Sequence, residues 1–411
     1  MEPKKIFFYT KVVPSHTGSG SRVRVFTNIR AYYDLNYEVI VCLFTDKSDL
    51  IIPKELLKAR IEFRIIQIKS EPQNLNTLLG IPHPNSYILD RLFPIRVLLK
   101  SVVINNLDKD KDALHHFEYL ESVSAVYGLN GKFIWSNHDL VEERFKLIQI
   151  MREKIGKGKS VFTRYIKSYG LKYSEYLMIK SCCLIFTISN YDQKKYMERF
   201  NTKKIKLLPF SWPKESLVTR RREWVEDKRL KILHLGSTNS VLTYSSLKYI
   251  FTEIFKILPQ DLINKIELTV VGNHPDAPYS NKIRKWAMNY KHVTFCGYQK
   301  DLTPYFANHD LQIVGTQVAT GIRTKIIESF ACGLPVLSSE IGARGLYGIQ
   351  NAINIILAKK PNEFVGILRK IINGEYNLNE ISINARELYD KDYSRKTQAT
   401  RLREYLEPLY N

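Results

Sequence analysis

Lys325 and Glu328 are the residues whose types and spacing most directly indicate chemistry in this chain. At about 100° per residue, they share one stripe with Gly321 on a helix predicted over residues 321–332, and apolar residues face the other way. The first turn of a helix offers free N–H groups and a partial positive charge, which suit a phosphate group. The carboxylate suits sugar hydroxyls. The alternative is an amphipathic helix with a solvated Lys/Glu pair.

The ends of this helix are marked by residues with defined backbone preferences. Thr320 is the predicted N-cap, Gly333 suits the C′ position, and Pro335 prevents the helix from continuing. Residues 336–339 are then predicted to form a short buried strand. Arg323 falls near the apolar side of the helix, and only its position in the first turn lets it reach past the helix end.

The first half of the chain has two candidate ligand loops. His138 and Asp139 follow a strand predicted over residues 132–135, and parallel sheets bind ligands at the carboxyl ends of their strands. Gly18 and Gly20 lie in a turn between a strand and a helix, where a phosphate or sugar can approach the backbone. The alternatives are a structural histidine and a simple turn.

Two other patterns do not predict a metal site. The D-x-D run at residues 108–112 lies at the start of a predicted strand, so we interpret it as a solvated turn. His115 and His116 are adjacent, so on a strand they point to opposite faces and suit one metal ion poorly. One of the two is expected to be packed. We therefore expect neither a metal ion nor a cofactor.

The elements that position these residues alternate between strands and helices in both halves of the chain. This alternation predicts an α/β fold with two Rossmann-like domains. A rigid, proline-rich stop at residues 209–213 is followed by a polar, charged segment. The predicted organisation is a first domain at residues 1–213, a linker at 214–229, a second domain at 230–392 and a basic C-terminal helix at 393–411. A ligand in a cleft between the domains would contact glycine loops of both.

The formal net charge of +21 indicates an anionic partner. The alternatives are a lipid surface, a nucleic acid and a phosphorylated ligand. Between residues 144 and 180, ten Lys or Arg face two Glu, with apolar and aromatic residues interleaved. This composition suits an anionic membrane surface, and the alternative is a solubilising helical face. Nucleic acid is not expected, because the chain lacks zinc-finger, basic-zipper and RNA-recognition patterns.

The cysteines and apolar runs bear on the compartment. Five scattered cysteines without zinc spacing indicate reduced thiols in a cytoplasm. The first apolar run, Ile6–Tyr9, is too short for a signal-peptide core and resembles a first strand. No apolar run reaches the length of a membrane span.

The second half resembles the GT-B glycosyltransferases of family 4, of the bacterial surface-polysaccharide type. The matching blocks are Leu233–Gly236, Leu268–Gly272, Val293–Gly297, Asp301–Tyr305, Gly321–Val336 and Gly342–Leu346. The resemblance covers residues 230–392 well and the first half more loosely. It implies two Rossmann-like domains facing a central cleft, with an acceptor domain first, a nucleotide-sugar donor domain second and a C-terminal helix crossing back to the first domain. It also implies metal-independent hexosyl transfer with retention.

The resemblance implies a role for each matching residue. Glu328 matches the glutamate that binds the donor ribose, Lys325 a basic residue near the diphosphate, and His138 a histidine that contacts the transferred sugar. Gly18 and Gly20 match a loop at the phosphates, and Gly297 and Tyr298 lie where the base is held. The predicted donor-binding residues are Gly18, Gly20, Gly236, Gly297, Tyr298, Gly321, Arg323, Lys325 and Glu328, with His138 and Glu328 as the catalytic pair.

Two departures from the family pattern leave alternatives open. Thr320 stands where many relatives carry a first glutamate, and the loop at residues 237–242 lacks the family's Arg and Lys. Arg323 and Lys325 would then neutralise the diphosphate. The expected acceptor is a glycan or lipid-linked sugar in cell-surface polysaccharide synthesis, at the cytoplasmic face of the membrane. The alternatives are a catalytically impaired GT-B protein that binds a partner or nucleotide, and a nucleic-acid-binding protein.

Overall fold

The structure of the chain is a computed structural model that describes residues 3–47, 50–68, 89–90, 92–93, 95–153, 161–213, 229–277, 279–318 and 321–410. It divides into two compact units, Met1–Pro213 with Arg395–Asn411, and Lys214–Ser394. The predicted linker lies outside the described residues except for Arg229, and Thr320 lies outside them as well.

The first unit contains a parallel sheet whose strands are rich in β-branched and aromatic residues. Seven described strands follow the order β3-β2-β1-β4-β5-β6-β7. Such runs form strands when helices cover both faces of a parallel sheet, because both sets of alternating side chains are then buried. The strands are β1 (Lys5–Thr10), β2 (Glu38–Thr45), β3 (Ile61–Gln67), β4 (Leu114–Glu118), β5 (Lys132–Asn137), β6 (Leu184–Thr187) and β7 (Ile205–Leu207).

The helices of the first unit connect these parallel strands. They are α1 (Gly20–Asp34), α2 (Arg96–Lys109), α3 (Tyr119–Val123), α4 (Val141–Glu153), α5 (Val161–Ser181) and α6 (Asn190–Phe200). The strand order reverses between β1 and β4, so the loops after these two strands diverge at the carboxyl edge of the sheet. Such a switch point is where open α/β sheets bind ligands.

The second unit has a six-stranded sheet in the order β10-β9-β8-β11-β12-β13 among its described residues. Its strands are β8 (Leu230–Leu235), β9 (Ile266–Val271), β10 (Val293–Cys296), β11 (Leu311–Val314), β12 (Val336–Ser339) and β13 (Ile356–Ala358). All neighbouring strands are parallel. The order reverses between β8 and β11, which places a second switch point beside Gly236.

The helices of the second unit include one that was predicted differently. They are α7 (Val241–Tyr249), α8 (Gln260–Ile263), α9 (Ser280–Ala287), α10 (Thr303–Asn308), α11 (Thr324–Ala331), α12 (Glu340–Ala343), α13 (Pro361–Ile372) and α14 (Leu378–Leu388). The apolar spacing predicts one α-helix over residues 243–258. In the structure α7 gives way to a π-helix at Ile250–Ile254 and a 3₁₀ turn at Phe255–Ile257.

The C-terminal helix α15 (Arg395–Leu406) packs in the first unit. Leu402 and Leu406 join the apolar core on one face of the first sheet. The Tyr405 hydroxyl donates to the backbone oxygen of Leu207 at 3.1 Å, and Gln398 donates to Asn28 of α1. The end of the chain is thus part of the first unit's core.

The helix that carries Lys325 and Glu328 begins later than the sequence predicts. It was predicted over residues 321–332 but runs over Thr324–Ala331, with Arg323 at the N-cap position. Gly321 has a φ of +55°, which is left-handed and incompatible with a right-handed helix. At the other end Gly333, with a φ of +62°, ends the helix as predicted.

The described residues contain no helix long and apolar enough to cross a lipid bilayer. All five cysteines are free.

Candidate active site

Three glycines at the carboxyl ends of β8, β9 and β10 bring the loops of these strands into contact. A β-carbon added at Gly272 would lie 2.8 Å from the backbone oxygen of Gly236, and the φ of Gly272 is +95°. The Gly272 N–H donates to the backbone oxygen of Gly297 at 2.7 Å. Close contact of this kind requires glycine, because a side chain would push the loops apart. The loops of Gly236 and Gly297 are therefore held together through Gly272.

Lys325 lies against the first of these loops. Its Nζ donates to the backbone oxygen of Leu235, the last residue of β8, at 2.6 Å. A β-carbon added at Gly236 would lie 3.3 Å from the same Nζ. Burial, and then the positive charge of Arg323, lowers the pKa of Lys325 to about 7. Lys325 is thus a titratable cation packed against the end of β8 and the Gly236 backbone.

The start of α11 places two further predicted residues. Arg323 is buried at the N-cap position, which explains its place on the apolar side. Lys325 and Glu328 are partly exposed, while Ile326, Ile327 and Phe330 are buried in the core. The predicted division of the helix into a polar stripe and an apolar face is present.

Gly297 and Tyr298 follow β10. Gly297 has a φ of +20°, and Tyr298 is 67% exposed. An exposed tyrosine at the carboxyl edge of a sheet offers an aromatic face that can stack on a planar ligand.

Gly18 and Gly20 lie in the loop between β1 and α1 of the first unit. Gly18 has a φ of +96°, and nothing lies within 4 Å of the β-carbon that another residue would place there. Gly20 is the first residue of α1, after Ser19 at the N-cap position. The loop leaves open space above the backbone at the first switch point.

His138 follows β5 directly, as predicted. Its Nε2 lies 2.6 Å from Oε2 of Glu118, the last residue of β4. The ring of Tyr119 stacks on the imidazole with ring centroids 4.1 Å apart. Tyr119 has a φ of +71°, a left-handed conformation that costs a bulky residue about 1–3 kcal/mol. Backbone strain of this kind concentrates at functional sites.

Glu118 is fully buried and surrounded by polar partners. Asn28 donates to its Oε1 at 2.5 Å, and Nε2 of His116 lies 3.3 Å from the same oxygen. Burial alone would raise the pKa of Glu118, but the imidazoles of His116 and His138 outweigh it, and the pKa lies well below its usual range. Burial lowers the pKa of His116. The carboxylate is therefore ionised and acts as a hydrogen-bond acceptor.

Sequence reasoning missed Glu118, Tyr119 and the role of Gly272. Glu118 ends a buried strand at the switch point, and this position is the feature of the sequence that could have identified it. Its partners come from positions 20 and 90 residues away in the chain, a proximity that only the fold reveals.

The two patterns that were not assigned to a metal site have structural roles. The D-x-D run begins in the last residues of α2, and the Asp110 side chain accepts from the backbone N–H groups of Asp112 and Ala113 in the turn before β4. His115 bonds Tyr9 and His116 bonds Tyr32, from opposite faces of the sheet. The sequence predicted that one of the two histidines would be packed, and in the structure both are buried. The described residues contain no group of three His, Cys, Asp or Glu that could hold a metal ion.

Comparison with known proteins finds a protein family that is similar to most of the second unit. Residues 229–373 match the sequence model of the family described as Glycosyl transferases group 1. The second unit is similar to this family over the matched residues. They include the three-glycine contact, Lys325 and Glu328. A comparison with curated protein sequences finds no match.

Solved structures extend the likeness to the whole chain. The Anabaena protein HepE in complex with UDP is 15% identical, with a TM-score of 0.68 over 98% of this chain and 100% of that chain. Sucrose-phosphate synthase from Thermosynechococcus elongatus is 16% identical, with a TM-score of 0.69 over 99% of each chain. WaaG, a glycosyltransferase involved in lipopolysaccharide biosynthesis, is 14% identical, with a TM-score of 0.64 over 98% of this chain and 100% of that chain.

These likenesses establish the fold of the protein. The two parallel sheets with their helices are the two Rossmann-like domains of the GT-B glycosyltransferases. The predicted resemblance and fold class are confirmed.

Proposed function

We propose that the protein transfers a hexosyl group from a nucleoside-diphosphate sugar to a glycan or lipid-linked acceptor, with retention and without a metal ion. The observation that carries this proposal is the contact between Lys325 and the loop at Gly236, next to Arg323 at the start of α11. Cations and helix N-termini at one strand end match the charge of a diphosphate. Glu328 on the same helix binds the ribose hydroxyls.

The proposed reaction breaks the bond between the anomeric carbon and an oxygen of the β-phosphate. The acceptor hydroxyl oxygen bonds to the anomeric carbon on the same face of the sugar, and the departing phosphate takes the hydroxyl proton. Negative charge grows on the β-phosphate as the bond breaks, and Lys325 and Arg323 stabilise it in place. His138 contacts the transferred sugar, as the family resemblance implies.

The structural comparison sets the order in which donor nucleotides are tested. The solved structure of HepE is a complex with UDP, so uridine nucleotides come first. In this proposal Gly297 and Tyr298 hold the base, and Gly18 and Gly20 approach the phosphates.

The proposed acceptor lies at the cytoplasmic face of an anionic membrane, where residues 144–180 dock the enzyme. Supporting this, one face of α5 exposes an apolar stripe, with Phe162 at 74%, Tyr165 at 73% and Tyr169 at 63% exposure. Lys172 and Lys180 are exposed on the same face, and the one acidic residue of the helix, Glu175, is buried on the other side. Aromatic rings with nearby lysines suit the headgroup region of an anionic leaflet.

A thermal-shift screen of nucleoside diphosphates and their sugars, followed by an assay for release of the diphosphate, tests the proposed function. Stabilisation by one nucleotide series together with release of the diphosphate supports it. Binding without release or transfer would favour the catalytically impaired alternative. Oligonucleotide binding with steep salt dependence, and no nucleotide-sugar binding, would favour the nucleic-acid alternative.

A further inference from the structure

Two consecutive residues at the end of β4 hold the imidazole of His138 from different directions. Glu118 Oε2 contacts the ring nitrogen Nε2 at 2.6 Å, and the Tyr119 ring lies over the imidazole face at an interplanar angle of 24°. A hydrogen bond at the ring edge fixes rotation within the plane, and stacking fixes the plane itself. Together the contacts leave the imidazole one orientation.

The carboxylate also determines which nitrogen of His138 carries the proton. An ionised carboxylate can only accept hydrogen bonds, so Nε2 must be the protonated nitrogen. Nδ1 of a neutral ring then has a free lone pair. Among the described residues, no hydrogen bond to His138 Nδ1 is present. His138 is therefore set up to accept a hydrogen bond through Nδ1.

A chain of buried side chains extends from this carboxylate to the C-terminal helix. Asn28 donates its amide group to Glu118, which turns the amide oxygen the other way. That oxygen accepts from Gln398 Nε2 of α15 at 2.7 Å. Asn28 and Gln398 are buried, so these bonds are shielded from competition with water. Each amide orientation follows from the one before it, beginning with the carboxylate.

We propose that Glu118 is a positioning residue that holds His138 as the Nε2–H tautomer, so that Nδ1 accepts a hydrogen bond from a hydroxyl of the bound sugar. Asn28 and Gln398 hold the carboxylate in place from the C-terminal helix. This inference rests on the proposed function, in which His138 contacts the transferred sugar.

Glu118→Gln tests the inference by two readouts. In ¹⁵N spectra of the full-length protein, the neutral form of the wild-type His138 ring shows protonated Nε2 and unprotonated Nδ1. The His138 signals are assigned by their loss in His138→Ala. In E118Q the amide can donate or accept, so both tautomers appear. Because Glu118 orients a functional histidine, we expect kcat of E118Q to fall by roughly tenfold or more, with a smaller change in the donor KM.

Two further variants show whether a change of tautomer results from misfolding. Gln398→Met removes only the far donor and leaves Glu118 in place, so a minor second tautomer appears without loss of folding. Glu387→Gln, the same change at an exposed glutamate of α14, is expected to retain the wild-type tautomer and kcat. Thermal unfolding of each variant separates loss of the fold from loss of the tautomer.

The outcomes separate this inference from the proposed function. If H138A lowers kcat while folded E118Q keeps one tautomer and the wild-type kcat, the positioning role of Glu118 is wrong and the role of His138 stands. If H138A transfers sugar at the wild-type rate, both are wrong. If the wild type binds no nucleotide sugar, the proposed function fails, and a single Nε2–H tautomer that is lost in E118Q still supports the tautomer assignment.

Discussion

The Nζ of Lys325 lies 2.6 Å from the backbone oxygen of Leu235, so a cation from α11 meets the end of β8. The loop that follows β8 contains neither Arg nor Lys, and Lys325 supplies the positive charge there from 90 positions away in the chain. The pKa of Lys325, lowered to about 7 by burial and by Arg323, makes this charge sensitive to pH.

Binding of a nucleoside diphosphate at pH 8 is expected to take up a proton. In the protein without ligand, Lys325 is largely neutral above its pKa of about 7. A bound diphosphate raises that pKa because it favours the charged form of the lysine. The diphosphate is already fully ionised at pH 8, so it contributes no proton of its own. Calorimetry in buffers of different ionisation enthalpy is expected to show uptake approaching about one proton per site.

The control for this prediction is Lys325→Met, in which the proton uptake disappears and affinity falls. Lys370→Met, at an exposed lysine of α13, leaves both unchanged. Proton uptake of the same size in K325M would show that another group titrates.

The glycines at the strand ends are expected to differ sharply in their tolerance of alanine. Gly236→Ala places a β-carbon 2.5 Å from Thr243 Oγ1, and Gly272→Ala places one against backbone. Each is expected to lower the free energy of unfolding by more than about 1 kcal/mol and to weaken diphosphate binding. Gly366→Ala in α13 meets nothing within 4 Å and is expected to stabilise by about 0.5–1 kcal/mol.

Chemical denaturation of the three variants checks this ordering. Equal stability of G236A, G272A and G366A would contradict the close contact of the strand-end loops.

The exposed stripe of α5 is expected to carry membrane binding. Replacing Phe162, Tyr165 and Tyr169 with Ser removes three rings, each worth about 1.5–3 kcal/mol when fully buried, so binding to anionic vesicles falls at least tenfold. Sedimentation with vesicles at low salt measures the bound fraction. The matched control is Met288→Ser, at a side chain of the second unit that is 84% exposed.

Vesicle binding by the triple variant at the wild-type level would contradict the docking role of α5. So would a wild-type protein that fails to bind anionic vesicles at low salt, since screening there is weakest.

Much of the fold follows from local pattern. The bounds of β12 were predicted to the residue, because a short run between Pro335 and the start of α12 leaves little freedom in a buried parallel strand. The late start of α11 did not follow, since the left-handed backbone of Gly321 is a property of the loop's packing rather than of residue preference.

The candidate site could be predicted where its residues share one element. Lys325 and Glu328 lie one turn apart on one helix, so spacing alone put them on one face. Glu118 could not be found in this way, because His138, just after β5, and Asn28, on α1, reach it from distant parts of the chain. Contacts between elements distant in sequence depend on strand order, which a single sequence does not reveal.

The most direct test of the proposed donor site is calorimetric titration of Glu328→Ala with the nucleoside diphosphate that stabilises the wild type most. The predicted result is a loss of binding free energy of about 1–3 kcal/mol, the scale of lost hydrogen bonds to ribose hydroxyls. Glu387→Ala, at an exposed glutamate of α14, is the matched control and keeps the wild-type affinity. Wild-type affinity of E328A for every nucleoside diphosphate tested would contradict the assignment of this site.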